Sequence, residues 1–270
     1  MPEIWDPARA ATFFDDWGMR EWSRFEDGRT PPASLETHTR LLEQFVHAGD
    51  LVLDAGAGPG RFSIELARLG AQIVAFDLSP GQLELHREHL TGAGLEEHVR
   101  ERVVGDILDL SQFADGSFDA TVCYGGPISY VAERANEALA ELARVTRPGG
   151  HLLVSVMSLA AAVTHYLPIL LDLARRDGIA KQDEIVATGL LPDDPDYGHL
   201  RMKLFRWDEL EQMLETYGRV VARAAAGLLP DSVELEPELR AFVRRTDLAL
   251  ADDPGAVANG LHMVAVVEIA

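Results

Sequence analysis

A doubly wound α/β fold built on a mostly parallel sheet is what this chain of 270 residues predicts, and three observations carry it. Leu51, Val52 and Leu53 form a short apolar run, glycines follow at 56, 58 and 60, and an apolar-periodic helix comes next, so a buried strand turns directly into a helix. A second apolar run, Ile73 to Phe76, closes on Asp77, about 20 residues beyond the turn, where an acidic strand end is placed to accept hydrogen bonds from ribose hydroxyls. Apolar strands and amphipathic helices then alternate as far as Met157.

Composition bounds the rest. With 47% hydrophobic and 25% charged residues the chain reads as globular and soluble, and its length suits one α/β domain with insertions. The single cysteine, Cys123, leaves no internal disulfide or cysteine metal cluster and suits a reducing, cytoplasmic address. The N-terminus carries acidic residues where a signal peptide has a basic head, and no apolar run reaches the roughly 18 residues of a membrane span. A formal charge of -20 argues against nucleic acid as a partner.

Residues 1–32 hold Phe13, Phe14, Trp17, Trp22 and Phe25 at helical spacing, which predicts one helix with an aromatic face. That face either covers the sheet edge or caps a ligand. Ser34 to Ala48 reads as a helix stopped at Gly49, with His38 and His47 as surface histidines. Phe62 to Leu69 is the helix after the glycine turn, and its N-terminus suits a carboxylate.

Leu51 to Phe62 reads LVLDAGAGPGRF, a D-x-G-x-G-x-G pattern that differs from the dinucleotide fingerprint in placing Arg61 where that motif needs a small residue. A dinucleotide site and a plain tight turn remain as alternatives at this point. The pattern resembles the first motif of the class I S-adenosylmethionine-dependent methyltransferases. The resemblance extends through Asp77 and the Gly105-Asp106-Ile107 element after the strand at Val103 and Val104. Phe118 to Tyr124 then reads as a fourth strand, Asn136 to Val145 as a helix, Arg147 to Gly150 as its turn, and His151 to Met157 as a fifth strand.

That resemblance implies a seven-stranded sheet of order 3-2-1-4-5-7-6 with strand 7 antiparallel. It implies S-adenosylmethionine as cofactor, S-adenosylhomocysteine as product, and a cofactor site of Asp54, Gly56, Ala57, Gly58, Gly60, Asp77, Leu78, Asp106, Ile107, Tyr124 and Gly125. Ser79 before Pro80 already suits the capping of the next helix, which leaves Asp77 for the ligand. Cys123, inside an apolar run, reads as packing.

The whole chain is then one domain: an N-terminal helical cap over 1–48, a cofactor-binding core over 49–158, an insertion over 159–200 and the end of the sheet over 201–270. The insertion opens with an apolar helix interrupted or kinked at Pro168 and ends in an acidic, proline-rich loop, which makes it the expected lid. Trp207 to Tyr217 is a further helix, Arg219 to Ala225 and Leu261 to Ile269 are strands, and Glu236 to Ala251 is a helix inserted between them.

The implied activity is methyl transfer to nitrogen or oxygen of a small molecule. Another transferase using the same cofactor, and a non-catalytic module that binds it, are the alternatives. An oxygen acceptor calls for a base, and His165 beside Tyr166 is the expected one, against the plainer reading of a surface or core histidine. Trp17, Trp22, Tyr130 and Tyr166 are expected to line the acceptor pocket, and no metal site is expected.

Overall fold

A computed structural model describes residues 5–24, 30–230 and 235–270. Phe25 of the aromatic series lies outside the described residues. The first five strands are β1 (Leu51–Ala55), β2 (Gln72–Asp77), β3 (Val99–Val104), β4 (Phe118–Cys123) and β5 (Thr146–Met157). A small hairpin apart from the main sheet, β6 (Leu190–Leu191) and β7 (Met202–Lys203), precedes β8 (Gly218–Ala226) and β9 (His262–Ile269).

The main sheet has the order β3-β2-β1-β4-β5-β9-β8. It is the expected topology, with β8 and β9 in the places of strands 6 and 7. β1 pairs in parallel with β2 and β4, while β9 runs antiparallel to β5 from His151 opposite Glu268 to Met157 opposite His262. Order reverses between β1 and β4, so the crevice beyond their carboxyl ends is where an open α/β sheet takes its ligand.

Helices cover both faces, which is why the central strands are continuous apolar runs. The helices are α1 (Pro7–Trp17), α2 (Arg20–Ser23), α3 (Pro32–Phe45), α4 (Arg61–Arg68), α5 (Pro80–Gly92), α6 (Pro127–Tyr130) and α7 (Ala135–Val145), then α8 (Leu159–His165), α9 (Leu167–Asp177), α10 (Ile179–Thr188), α11 (Trp207–Glu215) and α12 (Pro237–Leu250). On one face Leu139 and Leu142 of α7 and Leu210 and Leu214 of α11 pack with Leu53, Phe76 and Val154. On the other, Leu41 and Leu42 of α3, Leu66 of α4 and Leu90 of α5 pack with Val52, Ile73 and Val122.

Three expectations are corrected and a fourth is extended. β3 begins at Val99, four residues before its apolar pair, because an edge strand can carry Arg100 and Glu101 in water while Arg102 turns in to His86. The aromatic N-terminal helix is two helices: Gly18, at φ 51 and ψ -130, ends α1 and redirects the chain into α2. His38 is 1% exposed rather than on the surface, since it shares the inward face of α3 with Leu41 and Leu42. The insertion is interrupted, as one of the two expected forms, at Tyr166 with Pro168 in the first turn of α9, and it adds α10 and the β6–β7 hairpin, whose strands of two residues each are too short to carry a periodic signal.

Candidate active site

The glycine turn is bent by three left-handed residues, Gly56 at φ 79, Gly58 at φ 51 and Gly60 at φ 89, and the three do different jobs. A Cβ on Gly56 would run into Pro127 Cγ at the start of α6, and one on Gly60 would fall 2.8 Å from Leu90 Cδ2 on α5. These two glycines let helices close on the turn. A Cβ on Gly58 would meet only Glu21 Cγ, at 4.0 Å, so its main chain is presented bare to the cavity.

The turn is tied to β2 by its own backbone. The N–H groups of Gly56 and Ala57 both donate to the Phe76 carbonyl, at 2.7 and 3.1 Å. Asp77 accepts from Gly58 N at 2.8 Å through one carboxylate oxygen and from Ser79 N at 2.8 Å through the other. Each oxygen keeps acceptor capacity for a ligand. Burial pushes the Asp77 carboxyl up to about 6, the two backbone bonds oppose that, and Glu21 and Asp15 add to it. Ser79 caps α5, its Oγ accepting from Gln82 N at 3.0 Å.

Asp106, past the end of β3, accepts from Trp5 Nε1 at 2.7 Å and from Leu108 N at 3.0 Å. Trp5 thereby roofs the far end of the crevice. α4 starts at Gly60 without a side-chain cap, so its first N–H groups are left for a ligand, and Arg61 and Phe62 line the cavity there.

Asp54 belongs behind the cavity. It is 1% exposed and accepts from Ser63 Oγ at 2.6 Å. His86 Nε2 donates to Ser63 Oγ at 2.9 Å, and Arg102 Nε donates to His86 Nδ1 at 3.0 Å, which fixes the neutral tautomer. Arg102 also forks onto both oxygens of Glu96, at 2.8 and 2.6 Å. Burial, then the nearby arginine, holds His86 down at about 3, while burial raises Asp54 to about 7. This relay locks α4 and α5 beneath the glycine turn.

A cleft of about 960 Å³, mouth included, lies over the turn. Of the expected cofactor residues Gly56, Ala57, Gly58, Asp77, Leu78, Asp106, Ile107, Tyr124 and Gly125 line it, and Asp54 and Gly60 stand behind it. Of the four expected acceptor residues only Tyr130 lines it, edge-on to Phe14 with ring centroids 5.3 Å apart.

The others sit elsewhere for packing reasons. Trp22 is sandwiched between the Arg61 guanidinium, 3.5 Å over its ring, and His89, stacked at 3.7 Å. Trp17 stacks on Phe13 and lies against Gly198 of the insertion loop. Tyr166 is 44% exposed at the α8–α9 break. His165, the expected base, is half-buried at the end of α8, on the side facing Asp247 of α12, and does not line the cleft.

Trp5, Phe14, Glu21, Arg24 and Gln82 line the cleft without having been singled out for it from sequence. Phe14 carried a signal, as one of the aromatic series. The rest arrive only because α1 and α2 fold over α5, held by Asp15 accepting from Gly81 N at 2.8 Å and by Gln82 Nε2 donating to the Phe14 and Gly18 carbonyls. Among the described residues no helix is long and apolar enough to cross a membrane.

These residues fit the cofactor that the glycine turn implies. The bare Gly58 main chain, the part-satisfied carboxylate of Asp77 and the uncapped start of α4 offer contacts for a ribose and a carboxylate, and the cleft is of a size for a small molecule.

Known proteins resemble this chain in the same region. A family described as a methyltransferase domain matches residues 52–150. A demethylmenaquinone methyltransferase of Corynebacterium glutamicum is 36% identical over 159 residues, 57% of this chain and 61% of that protein. A ubiquinone biosynthesis O-methyltransferase of Xanthomonas axonopodis pv. citri is 35% identical over 127 residues, 47% of this chain and 50% of that protein. The chain thus spans about half to three fifths of the length of these curated relatives.

Among solved structures, the 1,6-didemethyltoxoflavin-N1-methyltransferase of Burkholderia thailandensis, with 1,6-didemethyltoxoflavin and S-adenosylhomocysteine bound, superposes with a TM-score of 0.57 at 18% identity, covering 99% of this chain and 92% of that one. At that identity it speaks for the fold alone. The sequence match to a methyltransferase domain falls on residues 52–150, from β1 into β5, the strands that set the order of the sheet.

Proposed function

We propose that this protein transfers a methyl group from S-adenosylmethionine to a nitrogen or oxygen atom of a small molecule, leaving S-adenosylhomocysteine. The observation that carries this reading is Asp77, held by Gly58 N and Ser79 N with acceptor capacity to spare at the edge of a cleft floored by bare glycine backbone. Two curated relatives named for quinone methylation, and the small acceptor bound in the Burkholderia enzyme, support a small molecule as acceptor. The charge of -20 supports the same choice over nucleic acid, and a lone buried cysteine suits the cytoplasm.

When bound, the cofactor supplies a methyl group on a cationic sulfur that a nucleophile displaces directly. Asp77 would hold the two ribose hydroxyls, the start of α4 would face the carboxylate, and Asp106 with Ile107 N would meet the adenine. Trp5, Phe14 and Tyr130 line the cleft and would shield the bound cofactor from water. Holding two reactants in line is the protein's main contribution, worth up to roughly 7 to 11 kcal/mol.

The N-terminal helices and the 159–200 insertion act together as the cover. Arg9 of α1 is ion-paired with Asp193 of the insertion, and Trp17 lies against Gly198. Calorimetry with S-adenosylhomocysteine tests the reading. Binding by the wild type, weakened at least about tenfold in a folded Asp77→Ala variant, is expected from the loss of hydrogen bonds to a carboxylate. No binding by the wild type contradicts it.

A further inference from the structure

Among the charged side chains that line the cleft, Asp77, Asp106 and Arg61 are built into its frame. Asp77 is tied to Gly58 N and Ser79 N, Asp106 to Trp5 Nε1 and Leu108 N, and Arg61 Nη2 donates to the Trp22 carbonyl at 2.8 Å. Glu21 and Arg24 line the cleft as an ion pair, with Arg24 Nε 2.9 Å from Glu21 Oε1.

That pair stands across the crevice between β1 and β4. A Cβ on Gly58 would lie 4.0 Å from Glu21 Cγ, and one on Gly125 would lie 3.3 Å from Arg24 Nη2. Both glycines are left-handed, at φ 51 and φ 84, and both line the cleft. The negative end of the pair is therefore beside bare backbone after β1, and the positive end beside bare backbone after β4. Both charges act inside the cleft: burial and then Glu21 raise the Tyr130 hydroxyl, and Arg24 opposes them.

The residues around the glycine turn hold α2 in this place. The Arg61 guanidinium covers one face of the Trp22 ring, and His89 stacks on the other at 3.7 Å. His89 Nδ1 donates to the Pro59 carbonyl at 2.7 Å, and Gln82 Nε2 donates to the Gly18 carbonyl at 3.1 Å. Through Pro59 and Arg61 the turn fixes α2 against the start of α4.

An ion pair partly open to solvent does little for stability, so its place in the cleft calls for another reason. A ligand group of one sign would satisfy one partner and strand the other, whereas a group carrying both signs side by side satisfies both through charge-assisted hydrogen bonds. The amino-acid end of S-adenosylmethionine is such a group, with an ammonium and a carboxylate on one carbon.

We propose that Glu21 and Arg24 read the amino-acid end of the cofactor, Glu21 taking the ammonium and Arg24, with the start of α4, the carboxylate. This rests on the methyltransferase reading above. It makes α2 part of the cofactor site and leaves the nucleoside to the strand ends.

Calorimetry on the full-length protein tests it with S-adenosylhomocysteine and with 5′-methylthioadenosine, which keeps the nucleoside and the sulfur but lacks the amino-acid end. Glu21→Gln and Arg24→Gln are each expected to weaken S-adenosylhomocysteine at least about tenfold, the loss of a charge-assisted hydrogen bond, and to leave methylthioadenosine within about twofold. A second measurement needs no substitution: in the wild type, amide hydrogen exchange over residues 18–24 is expected to slow several-fold with S-adenosylhomocysteine and not with methylthioadenosine. Unchanged S-adenosylhomocysteine affinity in both variants, a loss that falls equally on the two probes, or exchange slowed equally by both overturns the proposal while cofactor binding stands. Absence of S-adenosylhomocysteine binding in the wild type overturns the underlying reading and this with it.

Discussion

Asp77 at the end of β2 accepts a hydrogen bond from the backbone N–H of Gly58 at 2.8 Å, so the acidic strand end and the glycine turn are one unit, though 19 residues separate them in sequence. The bond fixes the carboxylate beside the backbone that the ligand must approach. It also links cofactor affinity to the ionisation of one side chain.

Ribose hydroxyls donate to the carboxylate, so the ionised form of Asp77 is the one that binds. With its carboxyl raised to about 6 in the free protein, affinity for S-adenosylhomocysteine is expected to be full above that pH and to fall about tenfold per pH unit below it. Calorimetry between pH 5 and pH 8 checks this. Asp77→Asn is expected to bind weakly with no such slope.

Gly58→Val and Gly56→Val separate ligand approach from folding. At Gly58 the added Cβ meets nothing nearer than Glu21 Cγ at 4.0 Å, so the left-handed backbone is expected to cost about 1 to 2 kcal/mol of stability while cofactor binding is lost. At Gly56 it collides with Pro127, so the melting temperature falls further. Thermal melts and titrations on both variants read the contrast.

His86 makes stability depend on acid. Its folded value of about 3 lies below the ordinary 6.5, so the unfolded chain takes up a proton that the folded one refuses. The contribution is whole above pH 6.5 and is lost as pH falls towards 3. His86→Gln removes that proton, and the stability gap between wild type and variant is expected to shrink by about 2 kcal/mol from pH 7.5 to pH 5. Urea unfolding at the two pH values measures it.

The cover is pinned by Arg9 to Asp193, a partly exposed pair that adds at most about 1 kcal/mol. Arg9→Ala is therefore expected to leave the melting temperature nearly unchanged while limited proteolysis within residues 193–199 speeds up several-fold. Cofactor should slow the cutting in both proteins if the loop closes over the site.

The sheet was legible because each central strand is buried on two faces and announces itself as an apolar run ending in glycine or aspartate, as Leu51 to Leu53 and Ile73 to Phe76 do. The floor of the cleft came with it, since those strand ends are contiguous in sequence with the residues that line it. Its roof was not legible. Trp5, Glu21 and Arg24 reach the cleft only through α1 and α2 docking on α5, which a turn at Gly18 decides and no periodicity reveals. Trp22 suited an aromatic pocket by type, yet Arg61 and His89 claim both faces of its ring. His38 was read as a surface residue although its spacing from Leu41 and Leu42 places it on the buried face of α3, and His165 was preferred as base for following β5, a neighbourhood in sequence that the turn of α8 undoes.

The most direct test of the central claim is transfer of label from methyl-labelled S-adenosylmethionine into a small-molecule metabolite extract, run with the wild type and with Asp77→Ala. Labelled low-molecular-weight product with the wild type, lost in the folded variant, is the expected result. Label that appears in no small molecule with the wild type, or equally with Asp77→Ala, contradicts a methyltransferase working from this cleft.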